Sequence, residues 1–137
     1  MDNLAFSHFD QEGKAQMVDI SGKTITSRFA RACGEVHVQQ GTLDNISLGK
    51  IKKGDVLTVA KIAGILGGKQ TAALIPMWHP IPIDEIKVEL DLDRDRSIII
   101  IKSEVKCESK TGAEMEALTS VAIADLTVYD MIKSGDK

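Results

Sequence analysis

The most constraining feature of this sequence is a pair of alternating segments joined by a short charged link. Ile86, Val88, Leu90 and Leu92 interleave with Glu85, Lys87, Glu89 and Asp91. Side chains on an extended strand point to opposite faces with a period of two, so this segment has one face for a core and one for water. Asp93-Arg94-Asp95-Arg96 then turns the chain, and residues 98–108 form a second strand ending in Val105 and Cys107 set against Glu104, Lys106 and Glu108. The pattern predicts an antiparallel hairpin with a polar outer face, and its apolar face requires a covering layer.

Residues 114–133 supply that layer. Met115, Leu118, Ala122, Leu126 and Tyr129 recur at spacings of three and four and make one apolar stripe along a helix. Glu114 and Glu116 place negative charge in its first turn, where the helix dipole favours it. Residues 28–38 read as a further strand, with Ala30, Ala32, Val36 and Val38 on one face. Residues 42–48 fit a short helix capped by Thr42, and residues 56–66 fit a helix capped by Asp55 and stopped by Gly67-Gly68. Pro76, Pro80 and Pro82 make residues 75–83 a stiff irregular loop. The first twenty or so residues are polar and read as a flexible arm. The sum is one domain over residues 1–137, an α+β two-layer sandwich of the ferredoxin-like kind, with an antiparallel sheet and helices on one face.

Charge and composition narrow the functional classes. A net charge of −3 and a pI near 5.6 argue against general affinity for nucleic acid or anionic membranes. Three Phe, one Tyr and one Trp are too few for a platform on which bases stack. Residues 1–10 contain no apolar run, no stretch of about 18 apolar residues exists, and a cytosolic protein is expected. Cys33 and Cys107 lie far apart, form no metal-binding or redox pair, and read as buried small side chains. One local bias stands out: Lys50, Lys52, Lys53, Lys61 and Lys69 share a window with the single acid Asp55. Such a window suits a small anionic ligand, and equally a solvated helix face.

Several short motifs invite chemistry. Residues 63–70 resemble a phosphate-binding loop, but Ala63 and Gln70 stand where a glycine and a hydroxyl residue are required. Gly64-Ile65-Leu66-Gly67 matches the bare G-x-x-G of a KH domain, yet offers no charge to a backbone phosphate. His79, between Pro76 and Pro80 and next to Trp78, is held at a set angle as a ligand site wants. A structural turn with a satisfied histidine explains it equally well. His8 and His37 lack such a setting and are given no role, and no cluster for a metal exists. Asp130 and Lys133 are neighbours on one helix face: either a proton-transfer pair or a surface ion pair.

Taken together, four blocks resemble the molybdenum cofactor biosynthesis protein C family, the cyclic pyranopterin monophosphate synthases. They are residues 13–21 (GKAQMVDIS), residues 53–69 from Lys53-Gly54-Asp55-Val56 through Lys61-Ile62-Ala63-Gly64-Ile65 to Lys69, residues 74–80 (LIPMWHP) and residues 111–133. They occur in family order, and the runs EMEALT and LTVYDM are highly specific. The resemblance implies a ferredoxin-like subunit in a hexamer of three dimers, with active sites at dimer interfaces. The implied reaction converts 3′,8-cyclo-7,8-dihydroguanosine triphosphate to cyclic pyranopterin monophosphate and pyrophosphate, with neither a metal nor an organic cofactor. By position, the resemblance makes Asp130 and Lys133 the general acid/base pair. It sets Lys53 and Lys69 near the triphosphate, Lys53 also counting as catalytic. Met77, Trp78, His79, Met115 and Glu116 become substrate contacts, with Glu114 beside them.

The sequence departs from the family at two places in these blocks. The family usually carries Cys where Trp78 stands and commonly Cys where Ile132 stands. The sequence stops at Lys137, short of a C-terminal strand and a Gly/Lys-rich tail usual in relatives, which are either absent or not included in it. The rival reading from another class is a small-ligand or nucleic-acid binding module on the same scaffold. A purely structural oligomer is the third, and it leaves the proline-braced His79 unexplained.

Overall fold

The computed structural model describes residues 9–137. Strand β1 (Thr26–His37) is followed by helices α1 (Gln40–Ser47), α2 (Val56–Lys69) and α3 (Thr71–Leu74). The hairpin β2 (Ile83–Asp93) and β3 (Ile98–Ser109) comes next, and helix α4 (Glu114–Ile132) completes the order. The sheet is antiparallel throughout, with order β1-β3-β2. The expected hairpin is therefore present, and β3 is its central strand. The alternation is what burial selects: Val88, Ile99, Ile101, Val105 and Cys107 are buried, while Lys87, Glu89, Lys102 and Lys106 are exposed. On that outer face, Arg31 of β1 donates to Glu104 of β3 at 2.7 Å. Ser97, the last residue of the hairpin link, has φ 55° and is held there by its hydroxyl donating to the Val38 carbonyl at 2.8 Å.

Asp55 caps α2 as the sequence predicts: its carboxylate accepts from the Thr58 N–H at 3.2 Å. The predicted stop at Gly67-Gly68 is wrong. Both lie inside α2, and so does Gly64, because their missing side chains let α4 approach closely. A Cβ on Gly67 would come within 2.6 to 3.1 Å of Ile123, one on Gly64 within 3.0 Å of the Ser120 carbonyl, and one on Gly68 within 2.4 Å of the Ser120 hydroxyl. Glycine here serves helix–helix contact rather than termination.

Further expectations are corrected as well. The stripe Met115, Leu118, Ala122, Leu126 and Tyr129 is not the core face of α4: Leu118 is 54% exposed, Leu126 64% and Tyr129 48%. The buried face carries Ala117, Ser120, Val121, Ala124, Val128 and Met131, whose small members meet the glycines of α2. Helix α4 is apolar on two sides, so periodicity alone finds the larger residues and not the buried ones. Cys33 is exposed, since it falls on the outer parity of β1, whereas Cys107 is buried. Helix α1 starts at Gln40 with no side-chain cap; Thr42 is buried and its hydroxyl donates to Asp136 instead. The single turn α3 (Thr71–Leu74) lies in a segment between the expected helix and the expected loop to which no element was assigned.

Of the expected N-terminal arm, residues 1–8 lie outside the described residues, and residues 9–25 hold only an isolated bridge between Phe9 and Ala15. His8 falls in that first group. Among the described residues no helix is long and apolar enough to cross a membrane.

The glycine seam is testable by methyl addition. Gly67→Ala gains up to about 1 kcal/mol of helix propensity but must displace Ile123, at about 1–3 kcal/mol for overpacking. A net loss of about 1–2 kcal/mol in urea unfolding is expected. Gly41→Ala in α1, where nothing lies within 4 Å of an added Cβ, is expected to gain up to about 1 kcal/mol. Equal effects at the two sites would remove the close-approach explanation.

Candidate functional site

The predicted site residues form two groups at opposite ends of α4. The first is a cluster of three charges. Asp130 accepts from Lys133 at 3.1 Å through Oδ1 and from Lys53 at 3.2 Å through Oδ2. Lys53 also donates to the Asp130 carbonyl at 2.9 Å. The Asp130–Lys133 contact follows from helical spacing, but Lys53 arrives from the turn before α2. Gly54, with φ 112°, makes that turn, and Asp55 then starts the helix. The hydrogen bonds from Lys133 and Lys53 hold the Asp130 carboxyl below the usual aspartate range. All three side chains are about half exposed, so this group faces solvent and any ligand.

The second group lies at the N-terminal end of α4. Trp78, on the loop after α3, donates its indole N–H to Glu116 Oε2. This contact joins the segment Met77-Trp78-His79 to the segment Glu114-Met115-Glu116. Glu116 is only 2% exposed, and its Oε1 is buried with no hydrogen-bond partner. Glu116 and Lys69 share the wall of a cavity of about 40 Å³ with Gly68, Thr71 and Pro80. Ser103 of β3 anchors this end of α4 by donating to the Ala117 carbonyl at 2.7 Å. Burial raises the Glu116 carboxyl above the usual glutamate range, although the Trp78 bond pulls the other way.

The structure brings Lys53, Asp130 and Lys133 together, and separately Lys69, Trp78 and Glu116, but it does not join the two sets. Glu116 and Asp130 are fourteen positions apart in one helix, about 21 Å at 1.5 Å per residue. The basic window is divided in the same way. Lys50 and Lys52 line a hollow of about 230 Å³ beside the end of α4, while Lys61 faces Glu89 and Asp91 across another. A larger concavity of about 550 Å³ opens near Arg31, Cys33, Lys87 and Lys102, and contains no predicted site residue.

Two residues with a claim on the site were missed. Asp19 is held below the usual aspartate range mainly by hydrogen bonding to Ser21, with the charges of His79 and Lys110 adding to the effect. Lys110 also donates to the Ser21 carbonyl at 3.4 Å. Residues 19–21, His79 and Lys110 therefore converge. Asp19 stands in the first block of the resemblance, and that placement was the available signal.

With this geometry in view, the comparisons with known proteins define first a class and then a family. The relatives that match over nearly the whole chain are biosynthetic enzymes, cyclic pyranopterin monophosphate synthases. One from Dinoroseobacter shibae is 51% identical over 131 residues, 96% of this chain and 83% of the relative. One from Syntrophomonas wolfei is 50% identical over 134 residues, 98% of this chain and 85% of the relative. One from Desulfitobacterium hafniense is 49% identical over 134 residues, 98% of this chain and 82% of the relative. The profile of the MoaC family matches residues 17–137, and the chain belongs to that family.

The two carboxylates respond to pH with opposite sign. Asp130, depressed when folded, adds stability above the unfolded aspartate value and loses it as pH falls through the lower folded value. Glu116 keeps its proton to a higher pH when folded, so stability falls as pH rises from the unfolded glutamate value through the folded one. Melting curves of wild type and Glu116→Gln between about pH 4 and pH 8 are expected to diverge, the variant becoming relatively more stable as pH rises. A constant difference would contradict the burial of an ionisable Glu116.

Proposed function

We propose that the chain converts 3′,8-cyclo-7,8-dihydroguanosine 5′-triphosphate to cyclic pyranopterin monophosphate with release of pyrophosphate. It is then a lyase of molybdenum cofactor biosynthesis, acting in the cytoplasm. Family membership and the printed activity of its relatives support the reaction. The observation in this chain that carries it is the Lys53–Asp130–Lys133 cluster. A carboxylate between two ammonium groups orients their N–H bonds. Such a pair attracts phosphate oxygens and offers a proton to a leaving oxygen, while an Asp130 of lowered basicity orients more than it abstracts. In this reading Lys133 exchanges the proton with Asp130 as its partner, Lys53 faces the phosphates, and the second group contacts the rest of the substrate.

The subunit is a ferredoxin-like sandwich in this reading: a strand, a helical crossover of three helices, a hairpin and a helix, with strands arranged β1-β3-β2, are compatible with that fold. The functional unit is a hexamer of three dimers, with each active site shared by two chains. Two features support a shared site. The two residue groups lie too far apart on α4 to meet in one pocket, and an antiparallel partner helix would bring one chain's Glu116 toward its partner's Asp130. The exposed stripes Val59, Ile62, Leu66 on α2 and Leu118, Leu126, Tyr129 on α4 are also more apolar than a free helix surface needs.

The direct test is incubation with the cyclised GTP intermediate, reading pyrophosphate release. Asp130→Asn is expected to lower turnover by about 10²–10⁴-fold with little change in Tm. Lys53→Ala, and to a lesser degree Lys53→Arg, is expected to weaken substrate binding by calorimetry. Near-normal values for both residues would remove the cluster from the reaction. A mixing experiment tests the sharing. Glu116→Gln and Asp130→Asn chains, each inactive alone, are expected to recover roughly a quarter of wild-type activity when randomly reassorted, because each mixed dimer regains one intact site. Mixed oligomers without recovered activity would place both residues in one chain's site.

A further inference from the structure

The carboxyl of Glu116 has a feature that its position on α4 does not explain. It is nearly sealed from solvent, one oxygen is held by an indole, and the other has no partner. An unpartnered oxygen on a buried carboxyl is normally selected against, and an isolated one calls for a reason.

The identity of the donor gives that reason. An indole N–H donates and cannot accept. Oε2 must therefore act as an acceptor whether Glu116 is ionised or neutral, and it cannot present a proton to Trp78. Because a carbonyl oxygen accepts better than a hydroxyl oxygen, the neutral carboxyl favours its proton on Oε1; when it is ionised, Oε1 is the oxygen without a side-chain partner. A thiol or hydroxyl in place of the indole accepts as well as donates, and leaves the proton free to sit on either oxygen.

We propose that Trp78 is a positioning residue: its indole N–H locks the buried Glu116 carboxyl in one orientation, so that Oε1 is the single atom at which this carboxyl takes or gives a proton or hydrogen bond to the substrate. Trp78 then acts through Glu116, which replaces the direct substrate contact that the resemblance implies for it. The surroundings suit the role. The cavity of about 40 Å³ that Glu116 and Lys69 line has room for one water or one small polar group. Thr71 on the same wall cannot offer its hydroxyl proton to Oε1, because it already donates to the Gly68 carbonyl at 2.7 Å. The charged groups nearby are few. Glu114 acts from the same helix, Lys69 from α2, and Arg28 and Asp84 from the strand layer, where they and Glu116 act on Cys107. Burial outweighs the rest and favours the protonated carboxyl.

This inference rests on the proposed reaction for its catalytic meaning, but the Trp78–Glu116 pair can be tested without it. Trp78 is the single tryptophan. Its emission is expected to change in one step as pH is raised, with a midpoint above the ordinary glutamate value of about 4.3, and the step is expected to vanish in Glu116→Gln. A step unchanged in Glu116→Gln overturns the pairing. In turnover, Trp78→Phe keeps an apolar ring and removes the donor. It is expected to lower kcat about ten-fold with KM within about two-fold. The limb of the kcat–pH profile that depends on Glu116 is expected to move upward, because the ionised carboxyl has lost a stabilising bond. Wild-type kcat and an unmoved limb in Trp78→Phe overturn the positioning role, and so does a change confined to KM. If Trp78→Phe does not fold, the emission titration of wild type against Glu116→Gln decides the pairing alone. Absence of turnover in wild type counts against the reaction and leaves the titration to decide the pair.

Discussion

The close contact between α2 and α4 is the constraint on which the rest of the molecule depends. Gly64, Gly67 and Gly68 present bare backbone to Ser120, Ile123 and Ala124, and an added Cβ at any of the three would force neighbouring atoms to shift, most of all Ile123 opposite Gly67. The two helices run antiparallel, so this one seam sets both ends at once. At one end it places Lys53, just before α2, against Asp130 near the end of α4. At the other it places Lys69, at the end of α2, beside Glu116 in the first turn of α4. The sheet below supplies a floor, and the Ser103–Ala117 hydrogen bond fixes where α4 stands on it.

The same helix pair gives two carboxyls contrasting chemistry. Asp130 is open to water and held between two ammonium groups, so it stays ionised. Glu116 is enclosed, and burial outweighs the Trp78 indole and its own backbone N–H, so it holds its proton more tightly. Environments that drive two acids apart in this way are how proteins assign different tasks to similar groups. The separation along α4 also explains why, among the described residues, the Lys53–Asp130–Lys133 cluster and the Trp78–Glu116 pair stay apart.

How much of this was legible in the sequence depended on whether a local rule had a competitor. The hairpin was legible because charged and apolar residues alternate from Glu85 to Leu92 with nothing to contradict them. The Asp55 cap was legible because its partner Thr58 lies three residues on. The buried face of α4 was not, since a helix apolar on two sides has no unique inner stripe, and small residues hide next to larger ones. Gly67-Gly68 followed the more frequent meaning of glycine near a helix end, and only the position of Ile123 reveals the other. Cys33 reads as buried by residue type, whereas strand parity puts it outside. Of the site, Asp130 with Lys133 was readable from spacing. The arrival of Lys53 and the Trp78–Glu116 bond join segments far apart in sequence, and no periodicity carries such information.

The strand order has a consequence for how the chain is made. Thr26 pairs with Ser109 and His37 with Ile98, so β1 leaves the ribosome long before the strand that will cover its edge. The local hairpin β2–β3 closes first on grounds of loop entropy, and β1 can dock only afterwards, together with the helices that follow it. Through that interval β1 is an open template for pairing with another chain. Arg31 and Glu35 stand on its outer parity, and charges on an unpaired strand are the usual protection against association. Residues that look like an outer-face ladder in the finished protein thus act earlier as gatekeepers, guarding a nascent strand during synthesis.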